Sequence, residues 1–367
     1  IKSFMTCDLF ILAGEPSGDL HGAALIKQLL HLNPALKIHA VAGPRMREYP
    51  IHSIEKMENL TVMGFIDIIA ALPKIARTFF ALRHKILELS PKAVITIDYP
   101  GFNLRLHRSL SRKKYPGKQI HYICPTVWAW GKKRIELMAR NLDLGLAILP
   151  FEPACFAKTP LKMQYVGHPL TKAIANHKSN PLFRSKYGFL PSDKILALFP
   201  GSRQKEIEQN LPLMLKAASL LQTEDPSLRL AISGSQIPLN DTYDLMQNAH
   251  LALAKSGTVI LELALHKTPT VVQYAIKPLD VFLATKVFKI NLPYYSLANL
   301  ILQEEAFPEL FGPNLTDKSL QRVAKNLWFD EEKRTASKKS CERLWGLLGN
   351  QDASLNAAHK ILETVFD

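Results

Sequence analysis

Along this chain, short apolar runs alternate with stretches in which apolar residues recur every three or four positions. The first run, Asp8 to Ala13, stops at Gly14. The turn Gly14-Glu-Pro-Ser-Gly-Asp19 follows, and Leu20 to Leu30 has helical spacing. Further runs predict strands at Ile38 to Ala42, Ala93 to Ile97, Gln119 to Ile123 and Gly145 to Leu149. Helical spacing between them covers Ile75 to Leu89 and Leu104 to Lys114. Strands that alternate with helices predict a parallel sheet with helices on both faces.

The pattern then restarts. After Gly167-His-Pro-Leu and a polar stretch at 176–180, Lys194 to Phe199 is again a short apolar strand. Pro200-Gly-Ser-Arg203 is a turn, and Glu206 to Leu221 a helix. Leu228 to Ile232 and Pro269 to Gln273 predict strands, and Ser256-Gly-Thr258 opens a helix over Val259 to His266. The C-terminal part is helical: Lys318 to Leu327, Glu331 to Leu348 and Ala353 to Val365. The prediction is α/β, with Rossmann-like domains over 1–175 and 176–345. Residues 346–367 form a last helix able to pack back on the first domain. Between Ser233 and Asn248 there is little room for a complete helix–strand unit, so the second domain is either trimmed or lacks residues.

Length and composition agree with this division. A chain of 367 residues, 47% hydrophobic, exceeds one ordinary domain. The formal net charge of +14 favours polyanionic partners: nucleic acid, an anionic membrane face or phosphorylated substrates. The four cysteines, Cys7, Cys124, Cys155 and Cys341, are scattered and include no Cys-x-x-Cys, so they read as reduced thiols of a cytoplasmic protein. The sequence opens on Ile1, as a piece of a longer polypeptide would, and runs into a strand without a signal-peptide pattern. No apolar stretch reaches the ~20 residues of a membrane span, so membrane contact is expected to be peripheral.

Candidate chemistry lies where strands end. Gly14 to Asp19 sits at the first strand–helix junction, the rim of the binding crevice in an open α/β sheet. Asp19 there either caps the helix or meets a ligand. The spacing is neither Gly-x-Gly-x-x-Gly nor a P-loop. Asp98 ends a strand ahead of Pro100 and reads either as a loop carboxylate on backbone amides or as a general base for a hydroxyl. Gly201, Ser202 and Arg203 precede a helix whose amides suit a phosphate, with Arg203 able to make paired bonds; the alternative is an ordinary turn. Ser256, Gly257 and Thr258 form a second such turn. Glu262, four residues after Thr258 and on the same helix face, could bind a ribose diol. Together the two turns resemble a nucleotide-diphosphate pocket.

Basic residues cluster at Arg105, Arg108, Arg112, Lys113 and Lys114, and again at Lys132, Lys133 and Arg134. They read as a solvated face, or else as a surface for anionic lipid or nucleic acid. The apolar stretch 62–72, with Val62, Met63, Phe65 and Ile69, precedes Lys74, Arg77, Phe79, Phe80, Arg83 and Lys85. It is either core or a lipid-binding face.

Beyond these patterns, the chain resembles the lipid-A-disaccharide synthases, bacterial glycosyltransferases of the two-domain GT-B fold. The resemblance rests on Ala13-Gly-Glu-Pro-Ser-Gly-Asp19, Val41-Ala-Gly-Pro-Arg-Met46, Val62-Met-Gly64, Asp98-Tyr-Pro-Gly-Phe-Asn103 and Pro125-Thr-Val-Trp-Ala-Trp130. It continues through Pro150-Phe-Glu152, Val166-Gly-His168, Pro200-Gly-Ser-Arg203, Ser256-Gly-Thr258 with Leu261-Glu262, and Ser296-Leu-Ala-Asn-Leu300. Where such family members carry a second Asp, this chain has Gly101. Gly312 follows the Pro308-Glu-Leu-Phe segment in place of Gln, and Ala298 replaces a Pro.

The resemblance implies two parallel sheets facing a central cleft. It also implies an inverting transfer from UDP-2,3-diacylglucosamine to 2,3-diacylglucosamine 1-phosphate, giving a β(1→6) disaccharide 1-phosphate and UDP. It gives Asp98 the role of base and Arg203 that of diphosphate ligand. Gly201, Ser202, Ser256, Gly257, Thr258, Glu262 and Asn299 fall on the nucleotide side, and Glu15, Ser17, Asp19 and Asn103 on the acceptor side. Val62, Met63, Phe65, Ile69, Phe79 and Phe80 would face the cytoplasmic leaflet of the inner membrane. No metal or cofactor is implied and no nucleic acid is expected; a homodimer is compatible. The alternatives are another UDP-sugar enzyme, such as a UDP-N-acetylglucosamine 2-epimerase or a peptidoglycan-type transferase, or a basic lipid- or nucleic-acid-binding module without activity.

Overall fold

A computed structural model of the chain describes residues 6–60, 65–129, 131, 133–275 and 292–367, with backbone alone for 65–72. The chain forms two compact units, residues 1–169 together with 351–367, and residues 170–350.

The first unit is built on seven parallel strands: β1 Leu9–Ala13, β2 Ile38–Ala42, β3 His52–Lys56, β4 Ala93–Ile97, β5 Lys118–Tyr122, β6 Leu144–Ala147 and β7 Lys162–Tyr165. Their order is β3-β2-β1-β4-β5-β6-β7. β1 and β4 are buried along their whole length, as expected of strands covered on both faces. Alternation then separates two cores. Leu9, Ile11 and Ala13 pack with the helices Pro16–Leu32 and Ala353–Phe366, while Phe10 and Leu12 face Leu82, Ile86 and Phe102. The C-terminal helix is fixed by Asp352, whose side chain accepts from the amides of Ser354 and Leu355, and by burial of Ala357, Ala358 and Ile361.

One group of polar residues inside this sheet is linked through Thr96. Thr96 Oγ1 lies 2.8 Å from His107 Nε2 and 2.7 Å from His121 Nδ1, and His107 Nδ1 is 3.0 Å from Gln119 Oε1. Burial lowers both histidines, to about 4 and about 3, so both are neutral. With His107 Nδ1–H given to Gln119, its Nε2 accepts the Thr96 hydroxyl, whose oxygen accepts His121 Nδ1–H.

The second unit has five parallel strands, β8 Lys194–Phe199, β9 Leu228–Ile232, β10 Ala249–Lys255, β11 Thr270–Tyr274 and β12 Glu309–Phe311, in the order β12-β11-β10-β8-β9. The short stretch after Ser233 holds a 3₁₀ turn, Leu239–Asp241, and the seven-residue helix Thr242–Asn248, and it leads straight into β10. Leu196, Leu198, Leu251 and Leu253 meet Met214, Leu221, Leu320 and Trp328 from the covering helices.

Each sheet reverses its winding once. In the first, β2 and β3 go to one side of β1 and β4 to the other; in the second, β9 and β10 flank β8. The carboxyl ends of β1 and β4, and of β8 and β10, are therefore the two topological switch points, where open α/β sheets bind ligands.

Candidate active site

At the first switch point, β4 delivers Asp98. Asp98 and Tyr99 both take left-handed backbone angles, φ 47° and 48°, which is unusual for residues with side chains. The turn is held from three sides. The Asp98 amide donates to the Tyr122 carbonyl at 2.9 Å. Asn103 Nδ2 donates to the Asp98 carbonyl at 2.6 Å and to the Ile97 carbonyl at 3.3 Å. The Tyr99 ring lies over Gly14 so closely that a Cβ there would sit 2.3 Å from Tyr99 Cδ1, which explains the glycine.

The expected acceptor-side residues divide. Glu15 senses Asp98: desolvation raises the Glu15 carboxyl, with the Asp98 charge adding to it. Burial raises Asp98, against a hydrogen bond from the Tyr99 amide. Ser17 is exposed on the first turn of the helix Pro16–Leu32. Asp19 is buried and committed: its two oxygens accept from the amides of Arg45 (2.9 Å) and Met46 (3.1 Å), so it neither caps its own helix nor stands free for a ligand. Asn103 is fully buried and acts on the Asp98 turn.

Two further groups on this sheet edge were not among the expected site residues. Glu152 is 1% exposed, and burial pushes its carboxyl up to about 8, against hydrogen bonds led by the Leu149 amide at 3.0 Å. His168 is buried and lowered to about 4 by desolvation, with His21 adding repulsion. The segments Pro150-Phe-Glu152 and Val166-Gly-His168 carried the signal, but a sequence pattern does not reveal burial.

At the second switch point a cavity of about 430 Å³ opens between the turns after β8 and β10. Gly201, Ser202, Ser256, Gly257, Thr258 and Glu262 all line it, so the structure brings these expected residues together. Gly201 has φ 127°, and a Cβ there would meet Glu206 Cβ at 2.6 Å. Burial raises the Glu262 carboxyl. The wall also holds Glu206 and Lys255, which the sequence reading had not singled out.

Two expected residues stand apart from this wall. The Arg203 side chain is 84% exposed, with Nη1 3.8 Å from Glu206 Oε1. Asn299 is fully buried: Nδ2 donates to the Phe307 carbonyl (2.7 Å) and Glu309 Oε1 (2.8 Å), and Oδ1 accepts from the Phe307 amide (3.0 Å). Its side chain ties Phe307 and Glu309 to the helix Leu297–Leu302, with both Nδ2 hydrogens used inside the fold.

Of the expected membrane-facing residues, Val62 and Met63 lie outside the described residues, as do the side chains of Phe65 and Ile69. Phe79 turns inward, edge-on to Phe102 at 5.4 Å. Phe80 is 55% exposed, with the Arg83 guanidinium 5.0 Å from its ring centre. Lys74 and Arg77 are exposed on the same helix, Phe65–Leu89. Arg105, Arg108, Arg112, Lys113 and Lys114 are all exposed along and just after the helix Pro100–Arg112. Among the described residues, no helix is long and apolar enough to cross a membrane, and no three His, Cys, Asp or Glu side chains are grouped to hold a metal ion.

Comparison with known proteins follows the same lines. A family model described as lipid-A-disaccharide synthetase matches residues 9–364. A lipid-A-disaccharide synthase of Chlamydia pneumoniae is 36% identical over 99% of this chain, which spans 63% of that relative's length. One from Paramagnetospirillum magneticum is 32% identical, covering 97% of both chains. Among solved structures, a putative UDP-N-acetylglucosamine 2-epimerase from Listeria monocytogenes superposes with TM-score 0.62 at 12% identity, covering 98% of this chain and 96% of the other. The calicheamicin glycosyltransferase CalG4 gives 0.58 at 12%, covering 99% and 100%. At such identities these structures speak to the fold alone, two parallel-sheet α/β domains of the GT-B class. By the family match and the relatives, this chain belongs to the lipid-A-disaccharide synthetase family.

Proposed function

We propose that this chain is an inverting glycosyltransferase that moves 2,3-diacylglucosamine from its UDP carrier onto 2,3-diacylglucosamine 1-phosphate. The product is a β(1→6) disaccharide 1-phosphate, with UDP released. The observation that carries the reading is the cavity at the β8–β10 switch point, where two glycine-containing turns at helix starts and the Glu262 carboxylate share one wall. Exposed amides at those helix starts suit a diphosphate, and a carboxylate one turn into the second helix suits a ribose diol.

In this mechanism Asp98 takes the proton from the acceptor hydroxyl. The hydroxyl oxygen forms the new bond to the anomeric carbon as the bond to the diphosphate oxygen breaks, and the electron pair leaves with UDP. One in-line displacement turns an α-linked donor into a β-linked product. Asn103 and Tyr99 keep the Asp98 turn in place. Arg203, exposed beside the cavity, closes on the diphosphate and stabilises the charge that builds there. Both substrates carry acyl chains, so the enzyme meets them at a bilayer, on the cytoplasmic face of the inner membrane. The exposed Phe80, Lys74 and Arg77 supply part of that contact.

Titration calorimetry with UDP tests the donor pocket. Wild type should bind UDP, and Arg203→Ala should weaken it about 10- to 100-fold, the worth of one charge-assisted phosphate contact. Equal affinities would remove Arg203 from the site, and no UDP binding by wild type would overturn the nucleotide reading itself.

A further inference from the structure

Lys255 is the one basic residue in the described wall of the second-unit cavity. It is the last residue of β10, its side chain is 17% exposed, and its ammonium lies 5.1 Å from the Tyr274 ring centre. It is also already engaged. Nζ donates to Glu206 Oε1 at 3.0 Å. The other Glu206 oxygen accepts from the Ser202 amide at 3.2 Å and the Arg203 amide at 3.5 Å. These amides open the helix Gln204–Glu224. Desolvation would raise the Glu206 carboxyl, but Lys255 and the two amides outweigh it and hold the carboxyl below its ordinary range.

Glu206 thus places an anion on the same amides and the same cation that a phosphate entering the cavity would need. A diphosphate cannot share them with a carboxylate: two anions on one ammonium and one helix end repel, and each loses its hydrogen-bond partners. We infer that Lys255 is a diphosphate ligand kept neutralised by Glu206 in the empty pocket, and that donor binding exchanges the Glu206 carboxylate for a phosphate on Lys255. This rests on the nucleotide reading of the cavity. It gives the glutamate two jobs, capping the helix while the pocket is empty and setting a threshold that weakly charged ligands fail to pass. Uridine, which brings no charge, has nothing to exchange.

The test uses the full chain and three probes, UDP, uridine and inorganic pyrophosphate, in titration calorimetry at fixed salt, with melting curves as the check on folding. Lys255→Met should lose about 10- to 100-fold in affinity for UDP and pyrophosphate and leave uridine unchanged. Lys255→Arg should retain most of the phosphate affinity. Glu206→Gln, which keeps an amide acceptor but removes the competing charge, should bind UDP several-fold more tightly than wild type. If folded Lys255→Met keeps wild-type affinity for UDP and pyrophosphate, the pair is only a structural bridge and the inference fails, while UDP binding itself still stands. If Glu206→Gln weakens UDP binding, the carboxylate supports the ligand and the exchange is wrong. If wild type binds pyrophosphate through Lys255 but not UDP, the lysine assignment survives and the nucleotide reading falls. Binding of none of the three removes both.

Discussion

At the residue scale, the site depends on carboxylates held in unlike surroundings. Asp98 is kept in a turn that few non-glycine residues adopt, and burial raises its carboxyl above the usual range. As the proposed base it must be ionised, so activity should be lost as pH falls through its raised value. The acid limb of kcat/KM should therefore lie above that of an ordinary aspartate. Asp98→Asn keeps the shape but cannot take the proton, and turnover should fall about 10²–10⁴-fold with UDP affinity nearly unchanged. Near-normal turnover in that variant would make Asp98 structural. Asp98 and Gly201 were legible in the sequence because each stands where a strand gives way to a turn, and Glu262 because it lies one turn into the helix that follows such a turn. Asp19 and Asn299 were read by the same logic, and both are buried and hydrogen-bonded within the fold, which a motif does not disclose. Lys255 and Glu206 escaped notice because their pairing crosses 49 positions.

At the element scale, the strands with continuous apolar runs were legible and the others were not. β3, His52–Lys56, is an edge strand with no buried residue, so it shows no apolar run. β7 and β12 are four and three residues long at sheet edges. β10, Ala249–Lys255, alternates alanine and leucine and carries no β-branched residue to mark it, although it lies at the centre of its sheet beside β8. The helix Phe65–Leu89 carries the proposed membrane contact. Phe79 belongs to the core, so its loss would test folding rather than lipid contact. Phe80 is exposed, so Phe80→Ser should leave the melting temperature nearly unchanged and reduce binding to vesicles containing anionic lipid. Replacing Lys74 and Arg77 with Gln should reduce it further, by about 1 kcal/mol for each charge near the surface, and added salt should mimic that loss. Unchanged vesicle binding by the folded variants would move the membrane contact off this helix face.

At the scale of the whole molecule, one pattern organises both units. Each is a parallel sheet that reverses its winding once, and each gathers its candidate chemistry at that reversal: Asp98 and Glu15 beside β1 and β4, and the cavity with Gly201, Ser256 and Lys255 beside β8 and β10. The repeat was legible in the sequence as a restarting strand–turn–helix pattern. The return of the C-terminal helix to the first unit is secured by Asp352 and by the apolar face of Ala357, Ala358 and Ile361. The proposed mechanism divides the labour, with acceptor chemistry on the first unit and donor binding on the second. The most direct test is turnover of a radiolabelled UDP-2,3-diacylglucosamine with 2,3-diacylglucosamine 1-phosphate in mixed micelles, followed by NMR of the product's new anomeric centre. The account predicts a disaccharide 1-phosphate joined through a β(1→6) bond, with one UDP released per bond formed and the same product made about 10²–10⁴-fold more slowly by the Asp98→Asn chain. An α-linked disaccharide, an epimerised monosaccharide, or UDP release without a new glycosidic bond would contradict it.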